Sequence, residues 1–195
     1  MTRPYDMTLR GKLAAETTER IVAATEALLA EGPIAAVTLK AIAHRASVTV
    51  QTVLRHLGSR DGCFEAVGAR VAARVAAQRG ASEPGDVEAA ITGLVAHYEA
   101  EGRLVLNLLG QEGGHEPLAR RAAEEGRAYH RTWVLRCFGT LLPDHDDERV
   151  DALVAATDLY VWKLLRLDLG RSREATEGVL LRLVTAVLEG SCVES

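Results

Sequence analysis

Residues 37–60, VTLKAIAHRASVTVQTVLRHLGSR, predict two short helices joined by a tight turn at residues 46–48. Apolar side chains recur at three- and four-residue spacing on both sides of the turn, so they can converge between the helices. These residues are Leu39, Ile42, Ala43, Val48, Val53 and Leu57. A small residue at the crossing and a buried valine after the turn are typical of a helix-turn-helix. The same pattern also fits an αα-hairpin buried in a helical bundle.

The outward face of the second predicted helix carries hydroxyls, an amide and a guanidinium. Its residues are Thr49, Val50, Gln51, Thr52 and Arg55. Such side chains suit the major groove of DNA and its flanking phosphates. Glutamine can pair with adenine, and arginine with guanine, through two hydrogen bonds each. We therefore expect Gln51 and Arg55 to contact bases.

The composition is that of an ordinary globular protein with an aliphatic core. Of the 195 residues, 48% are hydrophobic, 26% are charged and only 4% are aromatic. Residues 1–79 hold eleven Lys and Arg against seven Asp and Glu, a balance of +4. Residues 80–195 hold twelve against twenty, a balance of −8, which gives the net charge of −4. The cationic first part indicates a polyanionic partner for that part alone.

Helical periodicity extends over nearly the whole chain, and alternating β-branched runs are rare, so the predicted fold class is all-α with about nine helices. The predicted helices cover about 16–31, 38–45, 49–57, 59–79, 86–101, 103–111, 117–141, 146–168 and 172–189. Small and turn-forming residues cluster at 80–85, GASEPG, which makes this segment the best candidate for a domain boundary.

Membrane and secreted classes of protein find no support in the sequence. No apolar run of about 18 residues predicts a membrane span. The first residues, MTRPYDMTLRGK, lack the apolar region of a secretory signal. Cys63, Cys137 and Cys192 are far apart, lack the spacing of a metal or redox site, and fit a reducing cytoplasm.

An enzymatic role is the weaker hypothesis. Glu112 and His115 have the Glu-x-x-His spacing of di-iron bundles, but the motif occurs once and paired glycines interrupt it. His97 and Glu99 have the H-x-E spacing of zinc deaminases, but no P-C-x-x-C follows. Nucleotide-binding loops and a nucleophile elbow are also missing. We therefore expect no catalytic residue, no metal and no cofactor.

The helix-turn-helix stretch combines specific residues at fixed spacing. They are Thr38, Ile42, Ala43, Ala46, Ser47, Val48, Thr49, Thr52, Val53, Leu54, His56, Leu57, Ser59, Arg60 and Asp61. This set resembles the motif of the TetR family of bacterial transcriptional regulators, approximately T-x-x-x-I-A-x-x-A-G-V-S-x-x-T-L-Y-x-H-F-x-S-K-E. The resemblance covers residues 16–79 well and continues more weakly through the C-terminal body.

Four positions depart from that motif. Ser47 replaces the turn glycine, and a left-handed conformation there costs about 1 kcal/mol. Leu54 replaces a tyrosine whose hydroxyl commonly reaches a phosphate in the family. Leu57 replaces a phenylalanine, and Arg60 replaces a lysine and keeps its charge. Because of Leu54, a helical ligand-binding or interaction module with weak or lost DNA binding is the alternative function.

The resemblance implies DNA contacts on both sides of the turn. The full predicted set is Thr38, Lys40, Thr49, Val50, Gln51, Thr52, Arg55, His56 and Arg60. Within it, Thr52, Arg60 and Lys40 are expected at phosphates. His56 matches a histidine that commonly lies at the DNA backbone, or it is a helix C-cap.

The family plan also implies a domain organisation. It consists of a flexible arm at 1–15, a helix-turn-helix DNA-binding domain at 16–60, a linking long helix at 61–80, and a ligand-binding and dimerisation domain at 81–195. In the arm, Arg3, Arg10 and Lys12 either enter a minor groove or stay solvated. The implied protein is a cytoplasmic homodimer, most simply a repressor that a small molecule releases from its operator. Its two recognition helices would lie about 34–36 Å apart or somewhat more.

The C-terminal body is expected to hold the effector pocket and the dimer contact. The effector candidates are His97, Tyr98, Glu101, Trp133, Cys137, Tyr160 and Trp162, each of which is alternatively ordinary packing. The dimer candidates form two apolar stripes, Leu153, Thr157, Tyr160, Val161, Leu164 and Leu165, and Val179, Leu180, Leu183, Val184 and Val187. Two such helices can pair with their copies in a four-helix bundle, or both stripes can face their own core.

Overall fold

The computed structural model describes residues 7–143 and 146–190, and these ranges contain nine α-helices and no β-strand. The helices are α1 Met7–Glu31, α2 Leu39–Arg45, α3 Val50–Leu57, α4 Arg60–Arg79, α5 Val87–Leu109, α6 Pro117–Phe138, α7 Asp147–Ala156, α8 Leu159–Lys163 and α9 Arg173–Glu189. Short 3-10 turns occupy Ile34–Ala36 and Gly139–Leu141, and a π turn at Leu164–Asp168 extends α8. The predicted all-α class is confirmed.

Most helix starts are fixed by a side chain that accepts a hydrogen bond from a backbone N–H of the first turn. These N-caps are Thr38, Thr49, Ser59, Asp86, Asp146, Asp158 and Ser172. A short polar side chain at this position satisfies one of the otherwise unpaired donors of the helix. The predicted starts of α2, α3, α4 and α9 fall at these caps because the signal is local in sequence.

Three helix boundaries differ from the sequence prediction. The first helix begins at Met7 instead of residue 16, so Arg10 and Lys12 lie within α1, whereas Arg3 lies outside the described residues. The two helices predicted on either side of Gly102 are one helix, α5. The helix predicted over 146–168 is interrupted at Thr157, because Asp158 caps a new helix by accepting from the N–H of Tyr160 at 2.8 Å.

The side chains pack into two hydrophobic cores that share α5 and α6. The first core lies among α1 to α4 and takes in Leu104 of α5 and Ala119 of α6. The second core lies among α5 to α9 and includes both tryptophans. The C-terminal half of α5 and the start of α6 therefore belong to the first core. Sequence composition, in contrast, places the domain boundary at residues 80–85.

Polar side chains of α5 and of the turn that follows it fasten the end of α1. Asn107 Nδ2 donates to the carbonyls of Leu29 at 2.6 Å and Gly32 at 2.7 Å. Gln111 Oε1 accepts from the N–H of Ile34 at 2.8 Å. These bonds satisfy backbone groups where α1 ends and the chain turns toward α2, so this turn cannot shift without α5.

Gly102 lies inside α5, where the absence of a side chain leaves room for the ring of Trp162. A Cβ at this position would lie 2.6 Å from the ring, closer than any ordinary contact. We expect Gly102→Ala to lower the free energy of unfolding by about 1–3 kcal/mol, since the core must shift to admit one methyl group. Urea unfolding followed by circular dichroism measures this change.

The matched control is Gly126→Ala, at a glycine in the interior of α6 with open space around it. There the substitution should raise the free energy of unfolding by about 0.5–1 kcal/mol, because alanine loses less backbone entropy in a helix. Equal effects at the two glycines would contradict the packing of Trp162 on Gly102.

Candidate nucleic-acid interface and buried polar cluster

The turn between α2 and α3 has the geometry that the sequence predicts for a helix-turn-helix. Ser47 has a φ of 54°, the left-handed conformation expected where the motif usually has glycine. The N–H of Val48 returns to the carbonyl of Ala43 at 3.0 Å and closes the turn. Ile42 and Val53 are fully buried between the two helices, which fixes the crossing angle.

The start of α3 is held by a pair of threonines. Thr49 Oγ1 accepts from the N–H of Thr52 at 3.1 Å, and the two hydroxyls lie 2.9 Å apart. Thr38 caps α2 in the same way, accepting from the N–H of Ala41 at 3.1 Å. These hydroxyls therefore have structural partners, and Val50 is half-buried against the first core.

Lys40, Gln51 and Arg55 are exposed, and within the described residues their side chains form no hydrogen bond or ion pair. Gln51 and Arg55 are four residues apart and so lie on one face of α3. Unpaired donors on one side of a well-packed helix are free to bind an external partner. Among the predicted DNA contacts, these three residues are the ones without a structural role.

Arg60 has internal partners instead. Its Nε donates to the carbonyl of Val37 at 2.8 Å, and its Nη2 donates to the carbonyl of Ile34 at 2.6 Å. The guanidinium also lies 3.3 Å from Glu116, the residue before α6, and 4.7 Å from the ring centre of Phe64. A phosphate contact by Arg60 would require breaking these bonds, so the geometry assigns it to holding the segment before α2.

His56 likewise has a partner within the chain. Its Nδ1 lies 2.9 Å from the hydroxyl of Thr18, which connects the end of α3 to α1. The side chain is half-buried. This bond fixes the orientation of α3 on the first core.

The predicted effector residues do not form one site. Tyr160 is 55% exposed on α8. Trp162 Nε1 donates to Glu99 at 3.0 Å, and buried Glu101 binds Arg74 of α4 at 2.9 Å. His97, Tyr98, Trp133, Cys137 and Trp162 lie together in the interior of the body, as part of its core or beside it, and the Trp162 ring lies 6.0 Å from that of Tyr98.

Two residues that sequence analysis missed complete this interior group. A hydrogen-bonded chain runs from Arg79 on α4 through His130 on α6 to Thr157. Arg79 Nη2 lies 2.7 Å from His130 Nδ1, and since a guanidinium only donates, that nitrogen accepts. The proton of His130 is therefore on Nε2, 3.1 Å from the hydroxyl of Thr157. The hydroxyl in turn donates to the carbonyl of Leu153 at 2.6 Å.

Aromatic rings, not acids, surround the Arg79 guanidinium. Its Cζ lies 4.1 Å from the ring centre of Trp133 and 5.2 Å from that of Tyr129. Arg79 is only 3% exposed, and burial lowers its pKa. Within the described residues no carboxylate pairs with it, and its Nε has no hydrogen-bond partner. The one clue in the sequence was that His130 and Trp133, three residues apart, share a face of α6.

His97 also lies in this interior with an unsatisfied nitrogen. Its side chain is 7% exposed, and Nδ1 is buried without a partner. The neighbouring ring of Tyr98 lies 5.0 Å away, and the Tyr98 hydroxyl donates to the carbonyl of Thr157 at 2.9 Å. We call Arg79, His97, Tyr98, His130 and Trp133 the buried polar cluster.

The remaining chemical candidates have ordinary surroundings. Glu112 binds Arg127 at 2.6 Å, and within residues 7–143 and 146–190 no three metal-ligating side chains come together.

Burial raises the pKa of the Cys63 thiol, Cys137 is buried beside Ser82, and Cys192 lies outside the described residues. In the described part of the chain no helix is both long and apolar enough to cross a membrane.

The buried histidines should make stability sensitive to acid. Burial, together with the smaller effect of the nearby Arg79 charge, lowers the pKa of His97 to about 3 and that of His130 to about 4. Below pH 6.5 the unfolded chain binds protons at these rings that the folded chain does not. The free energy of unfolding should therefore fall between pH 7 and pH 5, by about 2 kcal/mol for each histidine.

Urea unfolding at pH 7, 6 and 5 checks this expectation. His97→Gln and His130→Gln should each flatten the pH dependence, whereas His115→Gln, at an exposed histidine, should leave it unchanged. A pH dependence that is identical in all three variants would show that these rings do not stay neutral in the folded protein.

Comparison with known proteins agrees with this geometry. Residues 21–67 match the family model of bacterial regulatory proteins of the tetR family. A search of curated proteins finds no match to the chain. Among solved structures, a transcriptional regulator from Rhodococcus sp. Rha1 is similar with a TM-score of 0.68, at 19% identity, over 91% of this chain and 99% of that one.

At that identity the likeness to the Rhodococcus protein establishes the fold alone. The family match covers α2, α3 and parts of α1 and α4, which are the helices that carry the tight turn and the exposed face of α3. Residues 21–67 therefore form a helix-turn-helix domain of the tetR family of bacterial regulatory proteins, in a chain whose overall fold is that of a known transcriptional regulator.

Proposed function

We propose that this DNA-binding regulator is a repressor that binds its operator as a homodimer and is released by a small molecule. The exposed face of α3 is the observation that carries the proposal. Gln51 and Arg55 are unpaired there, on a helix whose start is capped and whose inner face is packed. Such a helix can enter a major groove without rearranging.

The contacts of this interface divide into two kinds. Gln51 and Arg55 point away from the core and are our candidates for base contacts. Lys40, at the exposed start of α2, is our candidate for a phosphate contact, together with the hydroxyls of Thr49 and Thr52. The positive balance of residues 1–79 favours the approach of this face to DNA.

A homodimer is supported by exposed apolar side chains on α8, on the π turn and the residue that follows it, and on α9. They are Tyr160, Leu164, Leu167, Leu169 and Leu183. These elements contact one another, and an exposed apolar patch on a soluble protein usually marks an interaction surface. The two predicted stripes are only partly available for this contact. Leu153, Thr157, Leu165, Leu180 and Val184 are buried in the core of their own chain.

Release by a ligand requires a connection between body and recognition helix, and α4 provides it. Arg60 at its start holds the segment before α2, and Arg79 at its end lies in the buried polar cluster. A ligand that favours a different placement of α4 would weaken DNA binding by its difference in affinity for the two states. A typical coupling of 1–3 kcal/mol corresponds to roughly 5–150-fold.

The alternative function, a helical module without DNA binding, rests on one observation. Leu54 is a half-buried apolar residue at the position where the family commonly places a phosphate-binding tyrosine. The same DNA-binding experiment separates the two functions: duplexes selected from a random pool should be enriched by a repressor and not by an interaction module.

Replacing Lys40 and Gln51 should have different effects on DNA binding. Lys40→Ala should weaken binding to every sequence and reduce the slope of log affinity against log salt by about 1, because one phosphate contact is lost. Gln51→Ala should leave that slope unchanged and cost about 1–3 kcal/mol of discrimination at one base pair. Fluorescence anisotropy on the selected duplex, repeated over a salt series, measures both.

Arg131→Ala is the charge-matched control, because Arg131 is an exposed arginine on α6 that pairs with Asp151. It should leave affinity and slope as they are. If Lys40→Ala behaves like Arg131→Ala, the face around α2 and α3 is not the DNA interface.

The dimer contact can be tested with single charges. Leu164→Glu and Leu183→Glu should each yield folded monomers in sedimentation velocity and lose specific DNA binding, because a buried unpaired carboxylate is costly. Leu135→Glu places the same charge on an equally exposed leucine of α6 and should remain dimeric.

Val184→Glu should instead unfold the chain, since Val184 is fully buried within one subunit. Circular dichroism distinguishes this outcome from dissociation. Dimers that persist in both Leu164→Glu and Leu183→Glu would place the contact on another face.

A further inference from the structure

The buried polar cluster contains a cation without an anion. Arg79 lies at the end of α4 and is only 3% exposed. Within the described residues its Nε is unpaired and no carboxylate lies beside it. Buried charges in proteins are normally paired, because removing an ion from water costs several kcal/mol. The buried carboxylate of Glu101 follows this rule, because it is paired with Arg74.

The groups around Arg79 are suited to an anion with an apolar body. Trp133 and Tyr129 flank the guanidinium, and Tyr98 belongs to the same core as Trp133. His97 contributes a second unsatisfied polar atom, Nδ1, which donates a hydrogen bond when it carries the ring proton. The cluster therefore offers two buried, unpaired polar positions and aromatic walls.

We propose that the buried polar cluster binds a small monocarboxylate with an apolar body, whose carboxylate pairs with the guanidinium of Arg79. The planar fork of a guanidinium matches a carboxylate through two parallel hydrogen bonds. His97 Nδ1 is the additional donor. This inference rests on the proposed ligand response and names the chemical class of its effector.

The charge of the buried polar cluster favours a ligand that carries a single negative charge. Arg136 is the other nearby cation, but it is exposed to solvent, which stabilises its charge, and its guanidinium donates to the backbone carbonyls of Arg79 and Ser82. His130 accepts from Arg79 and is neutral. One available cation balances a carboxylate, whereas a phosphate with two charges would leave one unpaired in the interior.

Entry and response both follow from the position of Arg79. The Tyr129 ring contacts the guanidinium and is itself 41% exposed, so on this proposal the ligand enters past Tyr129. The carbonyl of Arg79 accepts from Trp133 Nε1 at 3.2 Å, which attaches the end of α4 to α6. A carboxylate that turns the guanidinium away from His130 and Trp133 removes two further contacts between the end of α4 and α6 and thereby favours a different placement of α4.

The experiment uses the full chain and a series of carboxylates, each compared with its neutral amide. Acetate, butyrate, octanoate, benzoate and phenylacetate are titrated to millimolar concentration while thermal unfolding is followed. At least one carboxylate should raise the unfolding midpoint by about 5 °C at a hundredfold excess over its Kd, and its amide should not. In a Trp162→Phe background, Trp133 is the remaining tryptophan and should report binding by a change in fluorescence.

Arg79→Met should abolish the response, and Arg131→Met on the surface should preserve it. Without ligand, Arg79→Met should unfold at the same or a higher temperature than the wild type, because it removes an unpaired buried charge. Arg79→Lys keeps the charge but loses the fork, and it should bind the carboxylate at least about 10-fold more weakly. This second variant remains informative if the methionine variant does not fold.

The proposal is overturned if every carboxylate behaves like its amide, or if Arg79→Met and Arg79→Lys bind as tightly as the wild type. Failure of the proposed function has a different signature. A carboxylate that binds at Arg79 but leaves operator affinity unchanged supports the site and contradicts release by this ligand. Absence of DNA binding in the ligand-free wild type contradicts the repressor and leaves the carboxylate result standing.

Discussion

The close packing of α4 against α5 is the constraint on which both halves of the molecule depend. Gly93 makes it possible, because a Cβ there would lie 2.5 Å from the carbonyl oxygen of Gln78. Further along the same contact, Arg74 of α4 binds Glu101 of α5, which is almost fully buried and has no other charged partner among the described residues. The helix α4 contributes to the first core and ends beside the second. A displacement of α4 against α5 therefore changes the packing of both cores.

The unpaired hydrogen-bond donors of α3 and those of the buried polar cluster have different surroundings. On α3 the unpaired donors are exposed, where water satisfies them until DNA replaces it, so they cost little in the free protein. At the end of α4 the Nε of Arg79 is buried, and no group in the described residues satisfies it, so it reduces the stability of the free protein. The first arrangement suits a surface that binds a large, hydrated partner. The second suits an interior site in which a ligand supplies the missing charge.

The bonds between α5, α6 and the N-terminal core explain how a small change in the body can reach α3. Asn107 and Gln111 hold the end of α1 and the 3-10 turn after it, and Glu116 reaches Arg60. These partners are satisfied in one arrangement, so a shift of α5 or α6 has to carry the turn with it or break several hydrogen bonds together. The helix α3 is therefore held by both of its neighbours. His56 bonds it to α1, and the packing of the first core joins it to α4.

The sequence by itself determined the helix-turn-helix, because its signals are local. Thr38, Thr49 and Ser59 cap the helices that follow them, and the left-handed Ser47 lies within ten residues of every group that closes the turn. The all-α class and most helix ends followed from the same short-range chemistry. Tertiary structure decided what depends on distant partners. The ring of Trp162 packs against Gly102 within α5, and Glu116 and the carbonyl of Val37 hold Arg60 inward. Arg79 and His130 are 51 residues apart, and no pattern in either segment reveals that they meet, since burial and the absence of a counter-charge are properties of packing and not of sequence spacing.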